Sequence, residues 1–154
     1  MTKTIKLTDY QSELASGSEA VFFQACIADF GFLISEHGYG LSFHEMGREC
    51  YQACFKHSIG TEYFAIRLFH EFNNFWCDIE RFAGLDHQRR LRFPEVVQVF
   101  GFTCPPELLD IVLPDEQAIT LRVRMLADCI RTHLGELRNI PIHPDMQKAN
   151  NTND

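Results

Sequence analysis

The sequence predicts an α+β domain in which an N-terminal helix and C-terminal helices pack on one face of a four-stranded antiparallel meander. Apolar residues recur at three- and four-residue spacing near both ends of the chain, the mark of helices with one broad apolar stripe. Between residues 41 and 82 the period switches to two, in short runs separated by turn residues. Those separations are too short for a parallel crossover, which takes about a dozen residues, so consecutive strands are expected to be antiparallel neighbours.

The first helix is expected over residues 18 to 37. Ser16-Gly17-Ser18-Glu19 places a serine three residues before a glutamate, which makes a capping box. Phe22, Cys26, Phe30 and Leu33, with Phe23, Ile27 and Ile34 beside them, form its stripe, and Gly38 supplies a left-handed cap after His37. Strands are expected from Leu41 to Glu45, Cys50 to Lys56, Tyr63 to Phe69 and Asn74 to Phe82, with turns at Gly47, Ser58-Ile59-Gly60 and Asn73-Asn74. Alternation assigns Tyr51, Ala53 and Phe55, then Phe64, Ile66 and Leu68, then Phe75, Cys77 and Ile79 to the inward face.

Leu85 to Arg92 reads as a polar connection. Phe93-Pro94-Glu95 then opens a short helix through Phe100, with proline at the first helical position. Cys104-Pro105-Pro106-Glu107 opens a brief helical turn to Val112, and Pro114-Asp115-Glu116 begins the last helix with an acidic first turn. Ile119, Val123, Leu126, Ala127, Ile130, Leu134 and Leu137 hold its period, so that helix is expected over residues 115 to 138.

At 154 residues the chain fits one domain, residues 1 to 154, with a core large enough to fold without staples. Its 14 phenylalanines give that core large pieces to pack, and the polar stretches 1 to 15 and 145 to 154 are expected to be loosely ordered. The longest apolar runs, Ala25 to Ile34 and Glu95 to Phe102, fall far short of the roughly 20 residues that span a bilayer. The first residues carry Lys3 and Lys6 with no apolar run before Val21, which is not the pattern of a secretory signal, so a cytoplasmic protein is expected. Cys26, Cys50, Cys54, Cys77, Cys104 and Cys129 lie spread through core-like segments and are expected to be reduced. The net charge of -7 argues against nucleic acid as a partner; it suits a basic protein partner or simply solubility, and by itself it supports no particular partner.

Catalytic, metal and cofactor chemistry find little footing. Cys50, Cys54, His44 and His57 are metal-ligand types, but Cys50 and Cys54 on one strand face stand about 13 Å apart, too far to share an ion. None of the seven histidines forms a local pair with a thiol. Asp78 with Glu80 and Asp115 with Glu116 are paired carboxylates that read as a wet strand face and a helix first turn. His70-Glu71 lacks a second histidine, and no phosphate loop is present. No catalytic, metal or cofactor residue is therefore assigned. Charge is unevenly distributed: residues 81 to 92 hold Arg81, Arg89, Arg90 and Arg92 against Asp86, while residues 101 to 120 hold Glu107, Asp110, Asp115 and Glu116 with no lysine or arginine.

The candidate partner surface is the outward side of the meander at Trp76, Asp78 and Glu80, with Glu62 as a neighbour. Trp76 is the chain's one tryptophan, and a large ring in water beside two carboxylates is the make-up of a contact for a basic protein; if helices cover both sheet faces, or the strand register shifts by one, Trp76 is a core residue instead.

The run Phe30-Gly31-Phe32-Leu33-Ile34-Ser35-Glu36-His37-Gly38-Tyr39-Gly40-Leu41, leading into a strand meander, resembles small bacterial proteins that act as immunity proteins of toxin systems, over residues 18 to 82. The resemblance implies a cofactor-free, cytoplasmic α+β protein that inhibits a basic toxin domain. It transfers no individual residue. In size and acidity the chain also resembles secretion chaperones of effector proteins, although their sheet is interrupted by a helix and this meander is continuous. A small enzyme of undefined chemistry is the third class carried forward.

Overall fold

A computed structural model describes residues 2–4, 20–47, 49–84, 88–115 and 117–140 of the chain. The capping box at Ser16 to Glu19, as well as Asp86, Glu116 and residues 145 to 154, lie outside these. In chain order the elements are β1 (Thr2–Thr4), α1 (Ala20–His37), β2 (Gly40–Gly47), β3 (Cys50–Ile59), β4 (Glu62–Glu71), β5 (Asn74–Phe82), β6 (Gln88–Arg92), α2 (Phe93–Phe100), a 3₁₀ turn (Pro106–Leu109) and α3 (Ala118–Leu137). The strands form one sheet in the order β1-β2-β3-β4-β5-β6, with every pair antiparallel.

The α+β class and the expected antiparallel meander are present, and the sheet is larger than expected. β2 to β5 correspond to the four expected strands, each extended by one to several residues at one or both ends except β5, whose limits match. The polar connection expected at Leu85 to Arg92 is corrected, because Gln88–Arg92 is a fifth long-range strand whose residues alternate exposed and buried. Only Leu91 among them is apolar, so arginines conceal the period of two. The short β1 lies within the stretch expected to be loosely ordered, and pairs with β2 from Thr2↔His44 to Thr4↔Ser42.

Strand parity sorts the sheet into two faces. The expected inward residues of β3, β4 and β5 pair across the sheet as Phe55↔Ile66↔Ile79 and Ala53↔Leu68↔Cys77, and β6 continues the first of these rows with Leu91. These side chains join one core cluster with Phe22, Phe30 and Leu33 of α1, Phe93 and Val96 of α2, and Val123, Leu126 and Ile130 of α3. Phe22, Phe30 and Phe55 are fully buried, and Phe30 stacks on Phe55 with ring centroids 5.5 Å apart. Each such ring contributes roughly 3–5 kcal/mol against truncation to alanine.

Local signals account for the helix limits. Gly38 adopts φ 73°, and its N–H donates to the Ile34 carbonyl while that of Tyr39 donates to Leu33, closing α1 with a left-handed glycine cap. Asp115 starts α3 by accepting the Ala118 N–H on Oδ1 at 3.0 Å, so the helix proper begins three residues after the expected start. Among the described residues, no helix is long and apolar enough to cross a membrane.

Candidate binding face

The opposite side of the sheet is built from the other parity set. Its central rows read Ser42↔Cys54↔Arg67↔Asp78↔Arg92, His44↔Gln52↔Phe69↔Trp76 and Gly40↔Lys56↔Ala65↔Glu80↔Arg90. Cys54, Ala65 and Phe69 are buried, yet none belongs to the core cluster that contains every buried apolar helix residue described. Side chains of this face cover one another instead. Phe69 and Trp76 stack at 5.0 Å with their planes 8° apart, the Arg90 guanidinium lies over Phe69, and that of Arg92 lies over Trp76. Tyr63 stacks on Phe82 and carries the Lys56 ammonium above it.

The structure places Trp76, Asp78 and Glu80 together on this face, with Trp76 half-buried. The expectation that both carboxylates stand in water is corrected, because Asp78 and Glu80 are only 7% and 3% exposed. In register Arg67 faces Asp78 and Arg90 faces Glu80, but each guanidinium reaches diagonally to the other acid. Arg67 donates to Glu80 Oε1 through Nη2 at 2.9 Å and Nε at 3.3 Å, while Arg90 places Nε and Nη2 on Asp78 Oδ2, both at 2.9 Å. Gln88 adds a bond to Glu80 Oε2 at 3.3 Å. Glu62 does not join them. It opens β4 opposite Ile59, seven residues along the strand from Phe69, the partner of Trp76.

The two acids respond differently to this setting. Burial pushes Glu80 up, but the Arg67 bonds, the Arg67 charge and the Tyr63 hydroxyl outweigh it and hold its carboxyl below the usual range. For Asp78 burial dominates over Arg90 and the value is raised, consistent with an Oδ1 atom that is buried without a hydrogen bond. Gln52 Nε2 on the same face is likewise buried without a partner.

Burial also raises all six thiols above their ordinary value, Cys129 to about 11, which disfavours the thiolate a nucleophile or metal ligand needs. Among the described residues, no three His, Cys, Asp or Glu side chains gather as a metal site.

Arg67, Phe69, Arg90 and Arg92 complete the face; the sequence marks Arg90 and Arg92 only as part of a basic run, and Arg67 and Phe69 not as site residues. The available signal was the two-residue turn Phe72-Asn73, which sets Glu71 opposite Asn74 and therefore Phe69 opposite Trp76. No protein-family model matches the chain, and neither does a curated protein or a solved structure.

Proposed function

We propose that the protein is a non-enzymatic binding protein that docks a protein partner on the sheet face around Trp76, opposite the described helices, and that it acts as an immunity-type inhibitor of a basic toxin domain. The observation that carries this reading is the one-sided packing of the described helices, so that among the described residues no layer packs over a face of stacked aromatic rings and guanidinium groups. Tryptophan, tyrosine and arginine are the side chains that concentrate binding energy at protein interfaces. Exposed apolar side chains gather at the same end of β5: Phe72 in the turn before it, and Ile111 and Val112 where Val112 bridges Asn74.

The net charge of -7 draws a basic partner at long range. At contact distance Asp78 and Glu80 hold Arg90 and Arg67 in ion pairs that cancel their charge, and the aromatic rings meet the partner.

Crosslinking and affinity capture from the native host, with wild type and Trp76→Ala side by side, test the proposal. The wild type is expected to retain one basic protein whose toxic activity is abolished at equimolar inhibitor, whereas Trp76→Ala retains little of it at equal expression. Capture by both variants alike, or a captured protein whose activity is unaffected, would overturn it.

A further inference from the structure

A cavity of about 230 Å³ opens beside Trp76 because the outer edge of β5 is only partly paired. β6 ends at Arg92 opposite Asp78, and the edge is taken up again at Asn74 by Val112, with the Phe75 N–H donating to the Ile111 carbonyl at 2.7 Å and the Leu113 N–H to the Asn73 carbonyl at 2.6 Å. Trp76 and Cys77 in between border open space, which the first turn of α2, the 3₁₀ turn and α3 enclose with Phe93, Leu109 and Leu126. The volume is below the roughly 300–1,000 Å³ of drug-sized sites, so it suits a ligand about as large as one aromatic side chain with a short tail.

The polar lining is biased toward cations. Arg92 and Arg122 border the cavity together with one acid, Asp110. Asp110 Oδ1 already accepts the Val112 N–H at 3.0 Å. Two further acids stand nearby: Asp78, whose Oδ2 is held by Arg90 while Oδ1 is unbonded and whose charge acts on Arg92, and Glu95, whose Oε1 accepts the Arg92 backbone N–H at 3.3 Å. Arg122, buried in α3, spends Nη1 on the Asp110 carbonyl at 2.8 Å and Nη2 on the Val112 carbonyl at 3.4 Å, which ties residues 110 to 112 to the helix. The exposed Arg92 guanidinium has no ion pair among the described residues and lies over the Trp76 ring.

We infer that this cavity binds a small apolar carboxylate, its oxygens on Arg92 at the mouth and its apolar part between Trp76, Phe93 and Leu126. A guanidinium matches a carboxylate in plane and charge, while the walls recover the apolar surface of the tail. This site shares Trp76 and Arg92 with the proposed partner surface but does not depend on it, and it is tested without any partner.

Trp76 is the chain's one tryptophan, so its emission reports occupancy directly. Titration with 4-phenylbutyrate is expected to change that emission saturably. The isosteric alcohol 4-phenylbutanol should bind about tenfold more weakly, 4-phenylbutylamine more weakly still, and Arg92→Gln should lose about tenfold for the acid but not for the alcohol. Arg92 is exposed at the end of an edge strand, so this variant keeps the fold; its melting curve provides the check. A non-saturable response, equal binding of acid and amine, or unchanged acid binding by Arg92→Gln would overturn the inference.

Discussion

Glu80 and Asp78 show how two carboxylates of one strand face acquire opposite roles from their surroundings. Glu80, lowered by Arg67 and Tyr63, contributes stability that is present above the ordinary glutamate range and is lost as the pH falls below about 4. Asp78, raised by burial, works the other way: its contribution is complete only when protonated and declines as the pH rises through its elevated value. Glu80→Gln should therefore cost about 1–3 kcal/mol at neutral pH in urea unfolding and flatten the acid limb of the stability curve, while Asp78→Asn should cost less. Equal losses for the two variants would contradict this. Arg89 is a third case, 5% exposed on the helix side of β6 with Nε and Nη2 lacking hydrogen-bond partners and its pKa lowered by burial. Because an unpaired buried guanidinium is costly, Arg89→Met should be neutral or stabilising, by up to roughly 2 kcal/mol. A clear loss of stability would contradict this.

At the scale of elements, β6 decides how the sheet ends. Leu91 is 1% exposed and pairs with Ile79, whereas Arg90 projects from the opposite face. Leu91→Ala should lower stability by about 2–4 kcal/mol, measured by chemical denaturation. If residues 88 to 92 were a solvated connection, the change would be small. This strand was also the element least legible in the sequence. The inward sets of β3, β4 and β5 could be read directly, since Phe55, Ile66 and Ile79 sit in runs where apolar and polar residues alternate. Gln-Arg-Arg-Leu-Arg offers no such contrast, because a buried arginine occupies the inward position next to Leu91. The face bearing Trp76 was legible as parity, but its chemistry was not: the pairing of Glu80 with Arg67 spans two strands, and no local pattern marks an arginine as the partner of an acid thirteen residues away.

The molecule as a whole is a sheet with helices on one side and a self-covered polar and aromatic layer on the other. Such a layer is stable alone, since its rings stack and its acids are paired, and it remains available to a partner because no helix described packs against it. Under the proposed function, long-range attraction and short-range contact are divided between the acidic net charge and the rings of one face. The dissociation constant of the captured partner, compared between wild type and Trp76→Ala, tests this division most directly. An interface anchor is expected to weaken binding by at least about thirtyfold, near 2 kcal/mol, while the loss of its stack on Phe69 lowers stability by only about 1 kcal/mol. Unchanged affinity in a folded Trp76→Ala protein would contradict the assignment of this face.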